Sequence, residues 1–178
     1  TKSNSEFLDV SGSHGLELGD RSFTAACWCY IDALSGNSHG LLGVGNPGGG
    51  GYSVFDWVCG YNIGGGSDAF EMYIGNGVDN YKVIKSTAVS PASTATWYHV
   101  LVYHDAASDL LGIQVNNSSA DTVATEGYNH DSGYPFGISS RAFGFEHWNG
   151  RIDEAAFWSR LLTAQEKTDL YNGGNGLA

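Results

Sequence analysis

Glu126-Gly127-Tyr128-Asn129-His130-Asp131-Ser132-Gly133-Tyr134 mixes aromatic rings with amide, imidazole and carboxylate groups. Saccharides are held by such mixtures: the C–H face of a sugar ring stacks on an aromatic, while amides and carboxylates take its hydroxyls. Tyr128, Asn129, His130 and Asp131 are therefore candidate ligand contacts. The glycine run Gly45-Asn46-Pro47-Gly48-Gly49-Gly50-Gly51 leads toward Trp57 and Tyr61 and adds two further candidate rings. That run lacks the Lys-Ser/Thr of a phosphate-binding loop, which argues against a nucleotide. The competing reading is that both stretches merely cover the edge of a core.

Catalytic and metal patterns are thinner. Retaining glycoside hydrolysis needs two carboxyl groups about 5 Å apart. Asp153 and Glu154 are consecutive, and successive side chains of a strand face opposite ways. Glu146 stands off across a Trp-Asn-Gly turn, and no Gly-x-Ser-x-Gly elbow exists. His14, His39, His99, His104, His130 and His147 show neither His-x-His nor His-x-x-x-His spacing, and read as structural or solvated. Cys27, Cys29 and Cys59 are odd in number, and the first two share a strand face, a poor disulfide geometry. They read as small buried hydrophobes, without the four ligands of a zinc finger. Polysaccharide lyase chemistry needs a Tyr or His base with a basic residue to neutralise a uronate, and a total of 8 cationic side chains argues against it.

The elements that must carry these groups are strands. Ser22–Asp32 alternates, with Phe23, Ala25, Cys27, Cys29 and Ile31 on one face and Trp28 and Tyr30 on the other. Further strands are expected at 40–44, 52–58, 69–74, 81–85, 97–104, 110–115, 135–139, 143–148 and 150–158. Gly75 to Asn80 and Asn116 to Ser119 supply turns. One helix is expected: Thr163-Ala164-Gln165-Glu166 is a capping box, and Asn172-Gly173-Gly174 closes the helix after Tyr171. Strands at short spacing with no intervening helices point to an all-β sandwich or barrel. With 178 residues and no linker, the chain reads as a single domain over 1–178. Its net charge of −11 disfavours nucleic acid. No apolar run approaches the ~20 residues of a membrane span, so membrane insertion is not expected.

Three ordered stretches resemble the LamG-like jelly-roll domains of the concanavalin A-like lectin/glucanase superfamily. They are Phe23-Thr24-Ala25-Ala26-Cys27-Trp28-Cys29-Tyr30; Trp97-Tyr98-His99-Val100-Leu101-Val102-Tyr103 followed by Gly112-Ile113-Gln114-Val115-Asn116-Asn117; and Asn149-Gly150-Arg151-Ile152-Asp153-Glu154 running through Trp158 and Leu162 to Glu166. Asn117 stands where that family usually has Gly. The resemblance implies an antiparallel two-sheet jelly-roll sandwich with one short C-terminal helix and one concave sheet, often used for glycans. It also implies that Asp153 could join main-chain carbonyls around a structural Ca²⁺; the plainer reading is that Asp153 caps an amide or pairs with Arg151 or Arg160. Glycosidases of the superfamily carry acids in a Glu-x-Asp-x-x-Glu pattern that this chain lacks, so no enzyme is expected.

The expectation is a non-catalytic, lectin-like sandwich acting at a surface on a glycan or another cell-surface ligand. An equal alternative is a structural virion subunit, a capsid decoration or tail-fibre domain whose partners are other virion proteins. A glycoside hydrolase stands well behind. No signal peptide shows in Thr1–Glu6, and the expected location is extracellular or at a virion surface. A homo-oligomer is compatible with either reading.

Overall fold

The computed structural model describes residues 7–10, 19–34, 38–45, 55–63, 67–128, 133–140 and 146–177. In chain order the strands are β1 (Leu8–Val10), β2 (Phe23–Ile31), β3 (His39–Val44), β4 (Trp57–Tyr61), β5 (Phe70–Gly75) and β6 (Tyr81–Lys85). They continue with β7 (Trp97–Asp105), β8 (Leu110–Val115), β9 (Asp121–Ala124), β10 (Phe136–Ile138) and β11 (Gly150–Trp158), and helix α1 (Ala164–Tyr171) follows. A six-stranded sheet runs β1-β10-β3-β4-β5-β6 and a five-stranded sheet β11-β2-β7-β8-β9, every pair antiparallel. This is the expected jelly-roll sandwich with one short C-terminal helix.

The alternation in β2 sets the core. Phe23, Ala25, Cys27, Cys29 and Ile31 point between the sheets, where Val100, Val102, Leu111, Ile113 and Val115 join them from β7 and β8. The other sheet answers with Leu42, Val44, Trp57, Cys59, Tyr61, Phe70, Met72 and Ile74. Phe23 and Trp57 meet across the sandwich at 5.0 Å between ring centres, and Phe157 stacks on Phe23 at 5.4 Å. Such aromatic pairs add about 0.5–1.5 kcal/mol each beyond the area they bury. Cys27, Cys29 and Cys59 are free and buried, and burial pushes the Cys27 thiol up to about 12. They act as small apolar packing groups, as their pattern suggests.

The outward face of β2 is covered as well. Leu162 and Leu170 pack over Ala26, Leu101 and Tyr103, while Tyr171 stacks on Trp28 at 5.8 Å. The Thr24 hydroxyl donates to Arg160 O at 3.0 Å and accepts the Leu162 N–H at 3.2 Å, fixing the chain as it leaves β11. The capping box forms as expected. Thr163 Oγ1 accepts the Glu166 N–H at 3.2 Å, and Glu166 Oε2 accepts the Thr163 N–H at 2.8 Å. Arg160 donates to both Glu166 oxygens, and this pairing holds the Glu166 carboxyl down at about 2. Asn172 ends the helix in the left-handed region at φ 47°.

Four elements differ from expectation. Strands β1 and β9 were not predicted; they are short, at 3 and 4 residues, and carry too few apolar positions to show alternation. Of the strand expected at 52–58, residues 52–54 lie outside the described residues, 55 and 56 are irregular, and the strand runs Trp57–Tyr61, where it pairs with β5. Of the strand expected at 143–148, residues 146–148 are irregular and 141–145 lie outside the described residues.

Candidate functional site

Asp153 sits where edge strand β11 loses its regularity. Its ladder with β2 pairs Asp153 with Trp28 and then resumes at Ala156 with Ala26, three steps on one strand against two on the other. That is a β-bulge, a device that re-aims side chains at a sheet edge. Glu154 within it has φ 49°, a left-handed conformation that non-glycine residues seldom adopt. The strict alternation expected for consecutive strand residues therefore fails here. Asp153 and Glu154 line one cleft of about 170 Å³, together with Trp28, Trp97, Gly174, Asn175 and Gly176.

The C-terminal segment makes the opposite wall. Both Glu154 carboxylate oxygens accept the Leu177 N–H, at 2.8 and 3.0 Å, and Asn172 Nδ2 donates to Gly176 O at 2.8 Å. Gly176 has φ 69°, and a Cβ there would come within 2.6 Å of Glu154 Oε1, so the wall depends on glycine. Glu154 is thus a structural tie. Asp153 Oδ1 accepts the Glu154 N–H at 2.8 Å, the amide-capping role, while Arg151 and Arg160 go to Asp32 at 3.8 Å and Glu166 at 2.6 Å. Asp153 Oδ2 receives no hydrogen bond among the described residues.

Two indoles face this carboxylate chemistry. Trp97 is 39% exposed and lies 5.4 Å from Tyr30, over whose ring Arg151 sits at 4.4 Å. Trp28 is buried between Tyr171 and His99, and its Nε1–H is shielded from solvent with no acceptor. The desolvation of His99 in this stack lowers its imidazole to about 4. A second hollow of about 420 Å³ shares Asp153 and Glu154 but is walled chiefly by Phe7, Leu8, Ile138 and Ile152.

Calcium takes six to eight oxygen ligands. The bulge offers it one open carboxylate oxygen, because Glu154 is committed to the Leu177 amide. Among the described residues no three His, Cys, Asp or Glu side chains gather to hold a metal. Side-chain carboxylates alone therefore do not make a Ca²⁺ cage at this bulge.

The other expected contacts scatter. Trp57 is fully buried between the sheets against Phe23 and Phe157, so its ring has no face open to a ligand. Tyr61 is 2% exposed, packs on Phe70 and accepts the Ala92 N–H at its hydroxyl, again a core role. These two corrections share one cause: both rings alternate inward on β4, which the glycine run before it does not reveal. Tyr128 is half-buried, with Lys82 Nζ 5.4 Å over its ring and paired to Glu126 at 2.6 Å. Asp109 braces the start of that loop by accepting the Thr125 hydroxyl and, at 3.0 Å, the Gly127 N–H, and these bonds hold its carboxyl below the usual range. Asn129, His130 and Asp131 lie outside the described residues. The outer face of the six-stranded sheet is filled at its centre rather than open. Val58 and Tyr73 cluster there with Phe55 and Ile63, and buried Glu71 pairs with Lys85 at 3.1 Å. Sequence reasoning missed Trp97, Trp28 and Asn175; the available signal was a Trp on each of two paired strands, which the register brings toward the same face as Asp153.

A family model described as the concanavalin A-like lectin/glucanases superfamily, of laminin G type, matches residues 4–166, and the chain belongs to this superfamily. No curated protein sequence matches the chain. Among solved structures it is similar to the CBM40 domain of Ruminococcus gnavus IT-sialidase bound to α2,3-sialyllactose: TM-score 0.66, 14% identity, covering 90% of this chain and 94% of that one. It is also similar to the heptameric pentraxin of Limulus polyphemus, at TM-score 0.62 and 14% identity over 96% and 83% of the two chains. The NanB sialidase of Streptococcus pneumoniae matches with TM-score 0.71 and 16% identity over 93% of this chain, which spans 26% of the enzyme. At these identities the likeness establishes the lectin-like jelly-roll fold.

Proposed function

We propose that this chain is a non-catalytic carbohydrate-recognition module acting at an extracellular surface, and that the cleft at the β11 bulge is its binding site. The observation that carries the reading is Trp97, an exposed ring beside a carboxylate oxygen with no protein partner, in a concave site on a sheet edge. An aromatic platform with a few aimed polar groups suits the face and the hydroxyls of a sugar. The fold adds support, since the similar CBM40 domain was captured with sialyllactose. Absence of catalysis is supported by the tie between Glu154 and Leu177, which leaves Asp153 without a second acid for the two-carboxylate mechanism.

The test is a glycan array with the wild-type protein and Trp97→Ala, both checked for folding by their melting curves. A glycan retained by the wild type and lost by roughly tenfold in Trp97→Ala is the expected result, since a central aromatic contact contributes at least ~1.4 kcal/mol, a factor of ten. Failure to bind any glycan, with assembly onto particles instead, would replace this reading with that of a structural virion subunit. Release of reducing sugar by the pure protein would replace it with a hydrolase.

A further inference from the structure

We infer that the C-terminal segment, residues 168–177, is an acid-released strap on the outer face of the five-stranded sheet, and that His99, sealed beneath it, is the trigger. The strap is held lightly. Helix α1 has no fully buried residue. From Thr168 onward the segment is fastened by Leu170 over Ala26 and Leu101, by Tyr171 stacked on Trp28 at 5.8 Å, and by the Leu177 N–H on Glu154. Asn117 Nδ2 adds a long bond of 3.4 Å to Thr168 Oγ1. Few buried apolar contacts mark segments that open before the whole fold does.

His99 lies under the central fastening. Its N–H donates to Asn116 Oδ1 at 2.9 Å and its carbonyl accepts the Asn116 N–H at 2.8 Å, so the main chain holds the ring in place. The ring meets Trp28 and Tyr171 obliquely, at 48° and 47°, while those two rings turn their faces to each other. A protonated imidazole there gains little from either π face, and the ring makes no hydrogen bond among the described residues. The titratable groups around it are Tyr171 and Lys167 on α1, Tyr30 on β2, Tyr103 on β7, and Asp153 and Glu154 on β11. Lys167 lies 4.1 Å over the Tyr103 ring and Glu154 is bonded to Leu177, so neither serves His99. Burial without a charge partner lowers the imidazole to about 4. Water can stabilise the cation, and it reaches the ring when Tyr171 lifts.

Acid leaves the root of the helix in place. Leu162 is buried, the Thr163–Glu166 box caps the first turn, and Arg160 holds the Glu166 carboxyl down at about 2. These contacts outlast the neutral form of His99 as pH falls, so the strap frees from its far end. Gly174, Asn175 and Gly176 lie between Tyr171 and Leu177 and wall the bulge cleft, so the cleft opens with the strap. The release does not depend on what the cleft binds.

The experiment measures amide hydrogen-exchange protection factors on the full chain by NMR at pH 7 and pH 5. The N–H groups of Asn172, Asn175 and Leu177 should exchange through an opening smaller than global unfolding. That opening should be about twentyfold more populated at pH 5, the factor set by taking up a proton at 6.5 rather than about 4. The Asn80 N–H, in the β5–β6 hairpin, should keep its protection. His99→Phe should abolish the twentyfold change; its persistence would assign the effect to Glu154 and overturn the inference. Strap amides as protected as those of β2 at both pH values would also overturn it. A second variant reads the same coupling from the other side: Tyr171→Ala uncovers the ring and should raise the His99 NMR midpoint from about 4 toward 6.5. A midpoint unmoved by Tyr171→Ala would show that the strap does not seal His99, and would sink the proposal.

Discussion

Acid should weaken this fold through His99. The imidazole is 4% exposed on the outward face of β7, with Trp28 at 5.2 Å and Tyr171 at 6.0 Å between ring centres. Desolvation there lowers its pKa from 6.5 to about 4, so the folded state holds it neutral while the unfolded chain takes up a proton. The sign follows from linkage: stability is fully present above the unfolded value of 6.5, is lost as pH falls toward about 4, and levels off below that. The drop from 6.5 to about 4 sets a limit of roughly 3 kcal/mol, about 2 kcal/mol of it lost by pH 5. Other groups titrate in the same window, so the informative quantity is a difference. In urea melts followed by tryptophan fluorescence from neutral pH down to pH 4, the wild type should lose stability relative to His99→Phe as pH falls, by about 3 kcal/mol at pH 4. The phenyl ring keeps the aromatic packing and removes the titration. Parallel pH–stability curves for the two proteins, or an NMR midpoint for His99 near 6.5, would refute the reasoning.

Trp57→Ala should remove about 3–5 kcal/mol of stability, measured by urea denaturation, because it opens a cavity between Phe23 and Phe157; a loss under ~1 kcal/mol would contradict its place in the core. Gly150→Ala should destabilise by roughly 2 kcal/mol or more, because a Cβ there would fall 1.8 Å from Tyr30 O, the acceptor of the Trp148 indole N–H. Its melting curve, set beside that of Gly137→Ala, where a Cβ would meet nothing nearer than 3.9 Å, decides the matter. Chelator should leave the melting temperature unchanged, as the single open carboxylate oxygen at Asp153 implies; a drop of several degrees reversed by calcium would establish a structural ion there.

Much of the architecture was legible because local chemistry and long-range packing demand the same thing. The alternation of Phe23, Ala25, Cys27, Cys29 and Ile31 is a pattern that only a sheet with one face on a core can use, and those residues do face inward. Helix α1 was legible to its caps, since Thr163, Glu166 and Asn172 act through bonds within a few residues. The closing Gly-x-Ile-Asp-Glu stretch marked Asp153 for attention and placed it on the last strand. The site built around it was not legible, because it depends on departures from periodicity. A bulge inserts one residue without a sequence signature, and it turned two carboxylates predicted to face apart toward a single cleft. Whether an aromatic serves the core or the surface is likewise a matter of register. Trp57 and Trp97 both begin strands, yet one is sealed between the sheets and the other is left partly open to solvent. The sequence alone determined which segments are extended and which residues must be hidden, because both are set by period and composition. Tertiary structure decided which polar atoms were left facing one another, because that follows from a one-residue shift and from a C-terminal turn folded back more than twenty positions along the chain.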